Sequence, residues 1–117
     1  MSQKNINFEH LNLIQSQILE TLLSQKYKNI KIIELKNNTF HDFLIVCSAN
    51  SIAQINPIVK KLKNKFNADY LEYEGYNSNW LLISLKGFLI QIFTNESREY
   101  YNIEDIYFDS LTIAKFG

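Results

Sequence analysis

Residues able to take up a proton, ligate a metal or attack an electrophile are few and scattered in this 117-residue chain. Its one cysteine, Cys47, sits inside the apolar run Phe43-Leu44-Ile45-Val46-Cys47, and its two histidines are His10 and His41. A thiolate nucleophile needs an imidazole at hand, and zinc sites show paired ligands a few residues apart. Cys47, His10 and His41 form neither pattern, so Cys47 reads as a small buried core residue, unable to make an internal disulfide and suited to a reducing compartment. Asp42 opens the same apolar run and could hold a cation, but phosphoryl transfer with magnesium gathers more than one carboxylate around the ion. There is no Asp-x-Asp, no glycine-rich phosphate loop and no Ser-His-Asp spacing, so Asp42 reads instead as the cap of the turn at residues 39–41. No metal and no cofactor are expected. Lys60, Lys61, Lys63 and Lys65 are left as a nucleic-acid contact or, more often for such a run, a solvated helix face.

The chain is organised around residues 74–107. Two six-residue apolar runs, residues 80–85 and 88–93, flank Lys86-Gly87 and predict a β-hairpin, because glycine enters positive φ cheaply. With a two-residue loop, Leu85 pairs with Phe88, Ile83 with Ile90 and Leu81 with Ile92 on an apolar face. Trp80, Leu82 and Ser84 then lie against Phe93, Gln91 and Leu89 on the other face. A three-residue turn would put Ser84 and Gln91 on opposite faces, so the two-residue loop is preferred. The second face carries too little charge for solvent, so it is covered by helices or by a partner.

Apolar residues Phe8, Leu11, Ile14, Ile18 and Leu22 recur at helical spacing across residues 7–27, with Asn7 as cap and Glu9 in the first turn. Strands are predicted at residues 30–35, 42–49 and 69–74, the second buried on both faces. A helix over residues 51–66, capped by Ser51, keeps its period through Pro57 and should kink there, or else start anew with Pro57 in its first turn. Asn95 caps a short helix to residue 101, residues 103–108 form a turn or short helix, and the last residues are left as a tail. The order α-β-β-α-β-β-β-α predicts one α/β domain over residues 1–117, a mixed sheet of about five strands with helices packed on it.

Composition narrows the function classes. At 46% hydrophobic content, with three glycines and one proline, the chain suits one core without linkers. No apolar run approaches the roughly 18 residues that span a bilayer, so a soluble protein with no membrane partner is expected. Residues 1–65 carry nine Lys against four Asp/Glu, a net of +5, and residues 66–117 carry three Lys/Arg against eight Asp/Glu, a net of −5. The acidic half holds the apolar hairpin, which points to a basic protein partner.

Three blocks then carry a family resemblance. They are Thr39-Phe40-His41-Asp42-Phe43-Leu44-Ile45-Val46-Cys47-Ser48-Ala49-Asn50-Ser51, then Glu74-Gly75 followed by Trp80, and then Glu96-Ser97-Arg98-Glu99-Tyr100-Tyr101-Asn102-Ile103-Glu104-Asp105-Ile106-Tyr107. In this order and spacing the chain resembles the bacterial ribosomal silencing factor, or Iojap, family from about residue 11 to residue 107. The resemblance implies a cytoplasmic, non-enzymatic repressor of translation. It would bind the large ribosomal subunit through ribosomal protein L14 and block joining of the small subunit. The implied fold is a nucleotidyltransferase-like core without the catalytic motifs. Carried over, Glu74, Trp80, Leu82, Gln91, Phe93 and Glu96 become the expected partner surface, with an rRNA contact and a homodimer off the ribosome as further possible associations. The chain departs from the family pattern at Ala49, at Ala53, at Gln91 where a histidine is common, and at Tyr107 where a tryptophan ends the block. The other readings carried forward are a metal-dependent nucleotidyltransferase-like enzyme using Asp42 and a small RNA-binding module using Lys60 to Lys65.

Overall fold

In the computed structural model the described residues are 11–36, 40–66, 71–107 and 112–116. Asn7, Glu9 and His10 lie outside them, as do residues 37–39 and 69–70. The first described helix, α1 (Leu13–Leu23), is capped by Asn12, whose side chain accepts from the Gln15 amide at 2.8 Å. The Gln15 side chain completes the capping box and also donates to the Lys86 carbonyl at 2.7 Å. The helix ends four residues before Tyr27, which is buried and donates its hydroxyl to the Gln54 carbonyl at 3.3 Å. Burial of that phenol pushes its pKa well above the ordinary range.

Next come β1 (Lys28–Glu34) and β2 (Phe43–Ala49), a strand buried at every residue. The Ser51 hydroxyl accepts from the Gln54 amide and caps α2 (Ile52–Ile55). At Asn56 the chain turns and restarts as α3 (Pro57–Phe66), so the helix breaks at the proline, where the ring leaves no N–H to continue the ladder. The short strand β3 (Glu72–Glu74) is followed by β4 (Trp80–Leu85), β5 (Phe88–Thr94), α4 (Asn95–Tyr101), a 3-10 turn η1 (Ile103–Tyr107) and β6 (Thr112–Phe116). Helix α4 is capped by Thr94, whose hydroxyl accepts from the Ser97 amide, one residue earlier than expected from Asn95.

The six strands form one mixed sheet in the order β3-β4-β5-β2-β1-β6. About five strands were expected. The sixth is β6, read in the sequence as a tail because chain termini are commonly left unpaired; it pairs antiparallel with β1. Among the described residues the one parallel pairing is β2 with β5. Helices α2 and α3 carry the chain from β2 across the sheet to β3 at its far edge.

The hairpin has the expected register, with Leu85 opposite Phe88, Leu82 opposite Gln91 and Trp80 opposite Phe93. Lys86 and Gly87 both take positive φ, 52° and 90°, the pattern of a two-residue loop matched to strand twist. Pairing then aligns side chains in rows across the sheet. On the first face Ile45, Ile90, Ile83 and the half-buried Tyr73 make one row, packed with Ile18, Leu19 and Leu22 of α1, Ile55 of α2, and Ile58 and Leu62 of α3.

Gly75, at φ +86°, holds the loop ahead of β4, and a Cβ there would overlap the Trp80 carbonyl oxygen. Gly75→Ala is therefore expected to destabilise the protein by about 1–3 kcal/mol, read as a lowered urea midpoint with an unchanged m-value. A midpoint equal to wild type would show that the loop relaxes freely.

Candidate protein-binding face

The second sheet face is where the sequence-predicted residues converge. Its rows are Ser48, Phe93 and Trp80; then Lys31, Val46, Gln91, Leu82 and Glu74; then Ile33, Leu44, Leu89, Ser84 and Glu72. Helix α4 and η1 cover the β1–β2 end, where Ile103 packs with Ile33, Leu35, Leu44, Val46 and Phe93. Towards β3 the described helices do not extend that cover. Leu82, Ser84 and Leu89 are half-buried, while Glu72 and Glu74 are exposed. Leu71, Glu72, Tyr73, Glu74, Leu82 and Ser84 line a depression of about 480 Å³ there.

Trp80 stands at the edge of the cover. Its ring stacks on Phe93 with centroids 5.1 Å apart and meets Tyr101 of α4 at 4.9 Å. Tyr101 in turn meets Tyr100 edge-on at 5.0 Å, and Tyr100 is 82% exposed. The indole N–H donates to Gln91 Oε1 at 2.9 Å. Two of the expected contact residues therefore have a different place. Gln91 is 3% exposed and Phe93 is fully buried, because Trp80 and α4 lie over them. They lie beneath the face, while Glu74, Leu82 and Trp80 stand on its more open side and Glu96 is exposed on α4.

Arg98 holds α4 in place, a role that the sequence did not disclose. From α4 its guanidinium donates to Glu104 Oε1 at 3.0 Å, to Ser48 Oγ at 2.9 Å and to the Asn29 carbonyl. Lys31 closes the group on the other Glu104 oxygen. Lys31 stands directly opposite Lys115 of β6, and Glu104 offsets that like-charge pairing. The Arg98 hydrogen bond foremost, with Lys31 behind it, holds the Glu104 carboxyl down at about 2 against the opposing effect of burial.

Candidate catalytic residues are not brought together. Cys47 is fully buried, which pushes its thiol up to about 12, far from a thiolate at neutral pH. Asp42 is exposed, its amide bonded to the Gly87 carbonyl at 2.7 Å and its carboxylate beside Gly87. Thr39, in the turn the sequence assigned to it, lies outside the described residues. One contact was not foreseen: His41 Nε2 and Ser84 Oγ lie 2.8 Å apart, pinning the segment before β2 over the third row. Among the described residues no group of three or more His, Cys, Asp or Glu could hold a metal. Nor is any helix among them long and apolar enough to cross a membrane.

The sequence pattern described as "Ribosomal silencing factor during starvation" matches residues 9–115. The chain belongs to the ribosomal silencing factor family. A ribosomal silencing factor of Halalkalibacterium halodurans is 27% identical over 121 residues, covering 100% of this chain and 97% of that protein. One from Bacillus subtilis is 27% identical over 81 residues, covering 65% of this chain and 69% of its own. A crystal structure of a Bacillus halodurans protein superposes with a TM-score of 0.67 at 26% identity, covering 81% of this chain and 94% of that one. A Chromobacterium violaceum protein at 22% identity and TM-score 0.69 shares the fold over 80% of this chain and 82% of its own. The family is one of silencing factors and not of enzymes, which sets aside the nucleotidyltransferase alternative built on Asp42.

Within the block from Glu96 to Tyr107, the Arg98–Glu104 pair has a structural role that titration can test. Glu104 has a lowered folded-state pKa, so its contribution is present above the unfolded value, about 4.3, and is lost as pH falls towards about 2. Glu104→Gln is expected to be less stable than wild type at pH 7 and to lose less stability between about pH 5 and pH 2. Parallel stability curves for the two proteins over that range would remove Glu104 from the account.

Proposed function

We propose that this ribosomal silencing factor represses translation in the cytoplasm by occupying a surface of the large ribosomal subunit. The contact is ribosomal protein L14, and the bound protein stands where the small subunit would join. The observation that carries this reading is the aromatic series Phe93, Trp80, Tyr101 and Tyr100, which begins in the core and ends in solvent beside an uncovered sheet face. Large rings fixed by packing lose little freedom on binding, and such residues carry much of the energy of protein interfaces.

Charge supports a basic partner. Glu72 and Glu74 are exposed at the β3 edge of the face, and Glu96 and Glu99 are exposed on the helix that carries Tyr100. Glu96 and Tyr100 are four residues apart and share a helix side. Exposed carboxylates around an apolar centre are a rim that steers a basic protein surface into register, while the rings contribute the bulk of the affinity. Subunit blocking then requires no chemistry.

Trp80 is a poor sole probe, because truncating it also removes packing on Phe93 and Tyr101 and the hydrogen-bond partner of buried Gln91. Tyr100→Ala and Glu74→Lys change exposed side chains instead. In pelleting with isolated ribosomal subunits, wild type is expected with the large subunit alone. Tyr100→Ala should weaken that binding by on the order of 2 kcal/mol, roughly thirtyfold in Kd, at unchanged thermal stability. Glu74→Lys should slow association most at low salt. Full binding and full inhibition of subunit joining by the double variant would show that the protein acts through another surface.

A further inference from the structure

The molecule has a second charged side, away from the aromatic face. Helix α3 packs Ile58, Val59 and Leu62 onto the first sheet face, so its outer side points away from Trp80. On that outer side Pro57, Lys60, Lys61, Asn64 and Lys65 line a shallow depression of about 440 Å³. The helix contains no acidic residue to offset these charges. Lys61 and Lys65 stand at i and i+4, where like charges repel, and among the described residues the ion pairs involve only Lys31, Arg98 and Glu104. Lys63 is different: it is half-buried, with its Nζ over the Tyr73 ring at 5.2 Å. Three lysines are thus exposed on the outer side of a regular helix.

We infer that Lys60, Lys61 and Lys65 of α3 form a phosphate-binding ridge for RNA, engaged on the side opposite the protein-binding face. Lysine is suited to this as a strongly hydrated point charge that reads phosphate without base identity. A membrane surface fits less well, because interfacial helices expose an apolar face and the apolar face of α3 is buried in the core. The inference extends the proposed ribosome binding, since a large subunit presents RNA phosphates around its proteins. It predicts a protein that touches protein with one side and RNA with the other, the two contacts being separable.

The test is anisotropy of a fluorescent RNA hairpin, free of ribosomal proteins, titrated with the full chain at several salt concentrations. Lys61→Glu/Lys65→Glu is expected to weaken binding roughly tenfold or more and to flatten the slope of log K against log salt by about 2, near 1 per lysine. The neutral pair Lys61→Gln/Lys65→Gln, which removes the Lys61–Lys65 repulsion without setting two glutamates at the same spacing, should flatten the slope by about 2 at a thermal midpoint close to that of wild type, which separates lost binding from unfolding. Lys60→Gln is expected to flatten the slope by about 1, whereas Lys63→Gln leaves affinity and slope as they are. Tyr100→Ala should bind the hairpin as wild type does, so loss of large-subunit pelleting in that variant leaves the ridge standing. The inference is overturned if the double reversal keeps wild-type affinity and slope. It is also overturned if wild type ignores the hairpin and binds phosphatidylglycerol vesicles instead, which would make the ridge a membrane contact.

Discussion

The parallel pairing of β2 with β5 is the constraint on which the rest of the structure depends. β2 is buried at every position and lies between β1 and β5, so its backbone groups must be satisfied on both sides and its side chains covered on both faces. A parallel neighbour cannot be reached by a tight turn, so the chain crosses over through α2 and α3 to the far edge and returns through β3 and β4. That crossover places α3 over the first face. It leaves the second face to other segments: among the described residues α4 and the short η1 cover its β1–β2 end, and the segment before β2 reaches Ser84 through His41. Among the described residues the β3 end of the second face is thus left more open by topology: a seven-residue helix and one 3-10 turn cannot span six strands.

The helix that does cover the second face is held by charge as much as by packing. Its buried residue is Ser97, whose hydroxyl donates to the Asn79 carbonyl at 2.7 Å. Arg98 then ties it to β1, to β2 and to Glu104 in a single fork. A guanidinium suits this position because its planar donors reach two backbone and side-chain oxygens and a carboxylate together, which a lysine cannot do. Tyr101 and Tyr100 inherit their position from that fork. The aromatic surface is therefore fixed from two directions, through Trp80 on the strand and through Arg98 on the helix.

What was legible in the sequence followed short-range physics. Lys86-Gly87 between two apolar runs was enough for the hairpin register, because gathering Ser84 and Gln91 on one face distinguished the two possible loops. Ser51 marked the cap, and Pro57 the place where one helix would kink or a second begin; the structure takes the second course instead of the preferred kink. Long-range facts were not legible. The low charge of the second face indicated a cover by helices or a partner, but strand alternation could not tell which, and so did not place α4, which begins two residues after Phe93, over Gln91 and Phe93. The same holds for Arg98 and Glu104, whose partners Lys31, Asn29 and Ser48 belong to distant strands. The strand β6 was missed for a related reason: it exists because the edge of β1 is there to pair with.

The departure at Gln91 shows how the surface and the core constrain one another. A polar side chain at 3% exposure in an apolar sheet is costly unless its hydrogen-bonding groups are met, and the Trp80 indole supplies one of those bonds at 2.9 Å. The bond works in both directions. It satisfies the buried amide oxygen, and it fixes the plane of the tryptophan ring whose edge reaches the surface. The position across from Leu82 must therefore be filled by a residue that can accept from an indole, a requirement glutamine meets with its carbonyl oxygen and a neutral imidazole could meet with its unprotonated nitrogen. An aliphatic residue there would suit the core equally well in size, yet it would leave the indole N–H without its partner and the ring free to turn. A buried residue that touches no partner can in this way decide the shape of the surface that does.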